Sequence, residues 1–271
     1  MLKDITLGQY YPGDSVVHRL DPRVKILLAL LYITALFFVQ NFSGFIVFAI
    51  FTVAVIYLAR IPIRYVLKGL KPLFFIIIFT AVINVFMTPG TVAFQIPYTF
   101  ITATWEGIRM AVFMIIRLTF LIMGTSVLTL TSSPITLTDG IEHLLRPFRK
   151  IGVPAHELAM MMTIAIRFIP TLLEETEKIM KAQTARGADF ESGNLFRRAK
   201  ALVPLLVPLF ISAFRRADEL AMAMESRCYH GGDGRTRMKQ LHIVGRDIGS
   251  AVATVLALGA AVAVGYISIL V

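Results

Sequence analysis

The feature that most constrains this chain is a set of long apolar runs that are almost free of charged residues. The runs lie at Val24–Val39, Phe45–Ala59, Pro72–Met87, Met110–Thr131 and Ile248–Leu270. A helix that crosses a bilayer needs about 20 mostly apolar residues, so the shortest runs must borrow flanking residues. Charged residues make up 16% of the chain, against about 25% in a typical soluble domain. We therefore predict an all-α integral membrane protein with about five transmembrane helices.

Two basic residues interrupt these runs and need separate explanations. Lys25 lies near the start of the first run and Arg117 lies within the fourth. A long cationic side chain near the end of a membrane helix can extend to the interface, which is what we expect of Lys25. A charge deep in a membrane helix usually faces protein or water, so Arg117 is predicted to face the interior of the helix bundle.

The distribution of basic residues predicts the orientation of the chain. The candidate outer loops, 40–44 and 88–107, contain no lysine or arginine, whereas 17 of the 27 such residues lie in 132–246. Since cytoplasmic loops are enriched in basic residues, we expect a multi-pass protein of the cell membrane with its N-terminus in the cytoplasm. Five spans would leave the C-terminus outside. The same rule explains the net charge of +10 without nucleic-acid binding.

The basic segment 132–246 interrupts the membrane-type sequence and predicts three domains. These are an N-terminal membrane domain at 1–131, a cytoplasmic or interfacial domain at 132–246 and a C-terminal transmembrane helix at 247–271. Two apolar stretches, Leu158–Leu173 and Ala201–Phe214, could add a sixth and a seventh span. Both carry a proline or an arginine that makes exposure to lipid costly, so we favour cytosolic or interfacial helices.

Two long amphipathic helices are predicted in this segment, and both end on an arginine between small residues. The first ends on Ala185-Arg186-Gly187 and the second on Ser226-Arg227-Cys228, at an offset of 41 residues. A cation near a helix C-terminus is favoured by the helix dipole, which is one explanation of each arginine. The occurrence of two such ends suggests another, in which each guanidinium enters an acidic groove of a partner protein and binds a carboxylate bidentately.

Methionines are frequent in the same segment and suggest a second contact surface. Met is flexible and common on surfaces that accept several partners, although ordinary apolar packing would also explain it. The candidate surface contains Met160, Met161, Met162, Met180, Met222 and Met224.

The sequence has no motif for nucleotide or metal chemistry. It contains no GxxxxGK[ST] phosphate loop, no HExxH and no paired CxxC. An integral-membrane enzyme acting on lipid would need convergent acids, a nucleophile or a metal site, and none stands out. A self-sufficient channel or secondary transporter would need polar residues along several spans, for which Asn84 and Arg117 are thin support.

Four short segments of the chain occur in a characteristic order. They are Asp21-Pro22-Arg23-Val24-Lys25, Ala185-Arg186-Gly187, Ala223-Met224-Glu225-Ser226-Arg227-Cys228-Tyr229 and 231–237. Together they resemble the EcfT family, the transmembrane components of energy-coupling factor (ECF) transporters, which are related to the CbiQ-type cobalt subunits. The resemblance covers most of the chain and rests on the order of its motifs. In that family both arginine motifs usually read Ala-Arg-Gly, and this chain departs at Ser226 and Cys228.

The resemblance implies a non-catalytic coupling subunit of an ABC-type importer. Its expected partners are two cytoplasmic ATPases, which bind the ATP, and a membrane subunit that captures a vitamin or other micronutrient. Several such capturing subunits could share this chain, or it could serve a dedicated cobalt or nickel importer. Residues 185–187 and 226–228 would bind the ATPases, and the methionine surface would hold the capturing subunit. No cofactor is expected on this chain.

Overall fold

The computed structural model describes residues 10–95, 102–190, 194–232 and 240–270, and nearly all of them are helical. In these ranges two short strands accompany the helices. The elements are α1 Pro22–Phe38, α2 Phe42–Ala59, α3 Ile63–Lys68, α4 Phe74–Met87, β1 Val92–Gln95, β2 Thr102–Thr104, α5 Trp105–Thr131, α6 Pro134–Leu145, α7 Ala155–Ala185, α8 Leu195–Glu225 and α9 Gly245–Leu270. The all-α membrane fold predicted from the sequence is confirmed.

The helices form two compact units. One unit contains the described residues up to 140 together with those from 241 onward, and the other contains those between 141 and 240. We call them the main bundle, built from α1 to α5 and α9, and the helix-pair unit, built around α7 and α8. Helix α6 runs through the division at residue 140. The domain boundaries predicted from the sequence, at 131 and 246, stay a prediction.

In the part of the chain that the structure describes, five helical segments are long and apolar enough to cross a membrane. They are Phe42–Ala59, Ile63–Met87, Trp105–Thr131, Ala155–Ala185 and Gly245–Tyr266. The number of candidate spans equals the predicted five, but the five segments are not all the same as the predicted ones. The first predicted span forms α1, which has 17 residues and so extends only about 25 Å, less than the roughly 30 Å of a bilayer core. The candidate that replaces α1 is α7, whose apolar first half we expected to lie in the cytosol or at the interface.

Asp21 fixes the start of α1 and ties it to α9. Its carboxylate accepts a hydrogen bond from the backbone N–H of Arg23 at 2.9 Å, which is an N-cap. The Arg23 guanidinium donates to the same carboxylate at 2.9 and 3.0 Å and to the carbonyl of Leu241 at 3.0 Å. The backbone N–H of Asp21 donates to the buried carboxylate of Asp247 at 2.9 Å. The starts of α1 and α9 therefore lie at one end of the main bundle.

The expectation that Lys25 extends to the membrane surface is wrong. Its side chain is buried, with 8% of the residue exposed. The ammonium group donates to the carbonyls of His18 at 3.0 Å and Thr131 at 2.9 Å, and to the hydroxyl of Ser132 at 3.2 Å. Three acceptors match the three donors of a lysine, so Lys25 joins the segment before α1 to the end of α5.

Arg117 faces neighbouring helices, as predicted. Its Nη2 donates to the carbonyl of Val39 at 2.8 Å, just beyond the end of α1. The guanidinium also lies over the ring of Phe113, 4.8 Å from the centroid, and 5.8 Å from that of Phe37. At the same end of the bundle, Asn41 donates to the carbonyl of Gly265 in α9 at 2.9 Å. The turn between α1 and α2 therefore lies beside the end of α9.

The centre of the main bundle is an aromatic core that depends on a glycine. Tyr32 packs edge-on against Phe48 at a centroid distance of 5.3 Å, and its hydroxyl is 2.9 Å from that of Thr52. A Cβ atom added to Gly124 would lie 2.2 Å from the Tyr32 ring. Helix α5 can therefore approach α1 this closely only because residue 124 has no side chain.

Replacing Gly124 with alanine should destabilise the main bundle. The added methyl group would force the rigid Tyr32 ring out of place, and overpacking of this kind costs about 1–3 kcal/mol. The expected result is a lower midpoint of thermal unfolding in detergent. Gly259→Ala in α9 is the matched control, since nothing lies within 4 Å of its added Cβ. Equal midpoints for the two variants would contradict this account of the packing.

Candidate functional site

The two arginine motifs end α7 and α8, which pack against each other in an antiparallel pair. The guanidinium of Arg216 donates to the Glu175 carboxylate at 3.1 Å. Further along α7, the amide of Gln183 donates to the carbonyl of Pro204, earlier in α8, at 3.4 Å. Since one contact advances along α7 while the other moves back along α8, the helices run in opposite directions. Their C-terminal arginines therefore lie at opposite ends of the pair.

Helix α7 ends in a glycine-based stop. The N–H of Gly187 donates to the carbonyl of Thr184 at 2.9 Å, and that of Ala188 donates to Gln183 at 3.0 Å. These two bonds define a Schellman motif, which needs a residue with positive φ after the last helical turn. Gly187 supplies it with a φ of +90°. Arg186 is the residue just before this reversal.

Helix α8 ends in the same way although it lacks the glycine. The N–H of Cys228 donates to the carbonyl of Glu225 at 2.8 Å, and that of Tyr229 donates to Met224 at 3.1 Å. Cys228 takes the left-handed conformation, with a φ of +54°. Each bond lies 41 residues beyond its counterpart in α7. The second helix end therefore has the same geometry as the first, although its motif reads Ser-Arg-Cys instead of Ala-Arg-Gly. Arg227 occupies the position of Arg186.

The 41-residue offset also makes the pair symmetric about one contact. Glu175 and Arg216 are counterparts at that offset, and they bond to each other. Arg186 lies eleven residues beyond Glu175, and Arg227 lies eleven residues beyond Arg216. At 1.5 Å per residue, each segment between this contact and its arginine is about 16 Å long. We call these two equal segments the arms and the Glu175–Arg216 contact the crossing.

All six motif residues, 185–187 and 226–228, are exposed. Neither Arg186 nor Arg227 makes a side-chain hydrogen bond or ion pair with any other residue that the structure describes. An arginine fork with free donors can bind a carboxylate bidentately, and the small neighbours leave space for close approach. The chemistry of these two helix ends therefore suits them to bind an acidic surface.

The second arm has an anchor that sequence reasoning missed. The hydroxyl of Tyr229, directly after the motif, is 3.3 Å from Nε2 of His156, whose Nδ1 is 3.0 Å from the Glu142 carboxylate. Gly232 passes so close that an added Cβ would lie 2.5 Å from the His156 ring. No local pattern in the sequence predicts this contact, because Tyr229 and His156 are 73 residues apart.

The candidate methionines do not form one continuous surface. Met160, Met161 and Met162 are consecutive in α7 and point in different directions, since successive helical residues are rotated by about 100°. Met161, Met162 and Met222 are more than half exposed, whereas Met160, Met180 and Met224 are partly buried. Phe210 and Phe214, also in α8, are likewise more than half exposed.

Groups for metal chemistry are not brought together in the described part of the chain. There, no three histidine, cysteine, aspartate or glutamate residues come close enough to hold an ion. The matching segment 231–237 lies for the most part outside the described residues, so its arginines carry no structural argument.

Comparison with known proteins identifies relatives along almost the whole chain. The family model CbiQ, described as cobalt transport protein, matches residues 13–238. A relative from Clostridium kluyveri is 64% identical over 247 residues, which is 91% of this chain and 92% of the relative. One from Thermosediminibacter oceani is 60% identical over 253 residues, 93% and 95% of the two chains. One from Bacillus subtilis is 48% identical over 248 residues, 91% and 93%. Each is named energy-coupling factor transporter transmembrane protein EcfT.

Single substitutions at the two helix stops should have opposite effects on the stability of the last helical turns. Gly187→Ala puts a side chain where φ is +90°, which costs about 1–2 kcal/mol. Cys228→Gly relieves a strained residue and should stabilise the end of α8 by roughly 1 kcal/mol. Hydrogen exchange measured by mass spectrometry should accelerate at the end of α7 in the first variant and slow at the end of α8 in the second. Unchanged exchange in both would contradict the assignment of the helix stops.

Proposed function

This chain belongs to the family of energy-coupling factor transporter transmembrane proteins, and we propose that it couples two cytoplasmic ATPases to a separate membrane subunit. That subunit would capture a vitamin or other micronutrient. The observation that carries the proposal is the repeated helix end, with the same Schellman bonds, the same exposed arginine and the same eleven-residue arm. Two equivalent ends suit two equivalent partners. One ATPase would hold Arg186 and the other Arg227.

Electrostatics supports an acidic groove as the receptor for each arginine. Residues 185 and 187 on one arm, and 226 and 228 on the other, are small and uncharged, so they can enter a narrow groove without burying a second charge. A guanidinium loses its hydrogen bonds to water when it enters such a groove, and a bidentate pair with a carboxylate replaces them. Closure of the ATPases on ATP would then move both arms.

The capturing subunit would bind the apolar faces that the helix pair leaves open. On α8 the side chains of Phe210, Phe214 and Met222 are exposed, and on α7 those of Met161 and Met162 are exposed. Large exposed apolar faces on a protein usually contact another protein or lipid. The flexible methionines would allow different capturing subunits to bind the same chain.

The chain would serve the complex without chemistry of its own. In this proposal it is not an enzyme and holds no cofactor, and ATP is bound by the partner subunits. Its N-terminus would face the cytoplasm and its C-terminus the outside. The arrangement of the main bundle supports termini on opposite sides of the membrane, because α1 and α9 start at one end while the turn between α1 and α2 lies beside the end of α9.

Reversing the charge of the two arginines should remove the ATPases. Loss of one partner of a hydrogen-bonded charge pair costs about 2–5 kcal/mol, which is roughly a thirtyfold to several-thousandfold loss of affinity. We expect Arg186→Glu or Arg227→Glu to weaken co-purification of ATPase with the tagged chain in mild detergent, and the double variant to abolish it. Quantitative mass spectrometry of the bound proteins measures the loss.

Matched controls keep this test specific. Lys181→Glu on α7 and Arg215→Glu on α8 make the same charge change at exposed residues of the same helices. They should retain ATPase, because they lie outside the helix ends. Wild-type ATPase recovery with the double arginine variant would refute the proposed docking.

A second prediction separates docking from transmission of movement. Glu175→Arg places two arginines at the crossing and should weaken it while leaving both helix ends free to bind. We expect ATPase to co-purify normally but ATP-driven uptake by the intact complex to fall. The charge-swapped variant Glu175→Arg/Arg216→Glu should recover much of the uptake. If uptake by the single variant equals the wild type, the crossing has no role in transmission.

A further inference from the structure

A cavity at one end of the main bundle is lined by three arginines. It has a volume of about 540 Å³ and lies between the segment before α1, the end of α2 and the start of α9. That volume is within the roughly 300–1,000 Å³ of small-molecule sites. The charged residues in its wall are Asp14, Arg19, Arg60 and Arg246. Among the described residues, the wall therefore carries three guanidinium groups against one carboxylate.

Internal contacts satisfy only part of this positive charge. Arg19 pairs with Asp14 through two bonds, of 2.6 and 2.5 Å. The hydrogen bonds from Arg19, together with its positive charge, lower the pKa of the Asp14 carboxyl, and the nearby charge of Arg60 lowers it further. Arg246 donates from Nη2 to the carbonyl of Arg19 at 2.6 Å, which neutralises no charge. Arg60 has no side-chain hydrogen bond or ion pair among the described residues.

The apolar rim of the cavity continues along α2. Tyr57 and Leu58 belong to the lining, and Tyr57 is 83% exposed. Ile46, Ile50 and Val53 precede Tyr57 at helical spacing and are each more than half exposed, so they form a row that leads up to the cavity. Since α2 is long and apolar enough to cross a membrane, this row is suited to contact a lipid chain.

We propose that this cavity binds the headgroup phosphate of an anionic glycerophospholipid, with an acyl chain lying along the exposed row of α2. Arg60 and Arg246 hold the phosphate, because guanidinium groups form bidentate hydrogen bonds with phosphate oxygens. Arg19 and Asp14 form the wall beside it. The position of the tyrosine suits this arrangement, since amphipathic aromatic rings favour the level of the headgroups. A free phosphate would leave the apolar row unused, which is why we favour a lipid.

The test is native mass spectrometry of the full chain in detergent micelles, titrated with palmitoyl-oleoyl phosphatidylglycerol. Palmitoyl-oleoyl phosphatidylcholine and inorganic phosphate are used in separate titrations. The wild type should retain one phosphatidylglycerol at about tenfold lower concentration than phosphatidylcholine, and inorganic phosphate should not displace it. Each basic residue near an anionic lipid contributes about 1 kcal/mol, which corresponds to roughly a fivefold change in affinity.

Arg60→Gly and Arg246→Gln should each weaken phosphatidylglycerol binding about fivefold, and together about thirtyfold. Arg60 has a φ of +54°, a conformation that glycine adopts freely, so Arg60→Gly is expected to fold normally and decides the test if the double variant does not. Arg64→Gln is the matched control, because Arg64 is exposed on the following helix and does not line the cavity.

Three results would overturn the proposal. The first is equal binding of phosphatidylglycerol by the wild type and Arg60→Gly at equal thermal stability. The second is no preference for phosphatidylglycerol over phosphatidylcholine. The third is displacement of the lipid by inorganic phosphate at a similar concentration, which would assign the cavity to a free anion. None of these results depends on whether the chain binds ATPases.

Discussion

The ion pair between Glu175 and Arg216 is the contact about which the helix pair is organised. Both side chains are partly exposed, and a pair of this kind stabilises a protein by only about 0.2–1 kcal/mol. Its importance is therefore the register that it fixes. Because the two residues are counterparts at the 41-residue offset, the contact gives both arms the same length. A slip by one helical turn would lengthen one arm relative to the other and destroy the equivalence of the two arginine ends.

The two units differ in how they are stabilised. The main bundle has buried apolar clusters, including Tyr32, Leu36 and Phe48, and a network of buried polar contacts around Lys25 and Asp247. Few of the described side chains of α7 and α8 are buried, among them those of Ala155, Ala159 and Leu205. A helix pair with so little core of its own opens more easily than a packed bundle. The main bundle thus provides the rigid part of the protein, and the helix pair is suited to movement and to partners.

Hydropathy predicted most helices of the main bundle, because the need for apolar side chains in a membrane acts on each segment separately. Hydropathy did not predict that Lys25 is buried, because its hydrogen-bond acceptors include Thr131 and Ser132, which are more than 100 residues away in the sequence. The motifs predicted where α7 and α8 end. The sequence could not predict that Cys228 would take the place of a glycine, since a left-handed cysteine is uncommon, nor that His156 would anchor Tyr229. Contacts between distant residues decide these features.

The equal arms have a mechanical consequence. Two opposed forces of the same size, applied at equal distances on either side of a pivot, form a couple, and a couple produces torque without net thrust. For partners that pull symmetrically on Arg186 and Arg227, the helices would turn about the crossing while their centre stays in place. With unequal arms the same couple would also displace the crossing sideways as the helices turned.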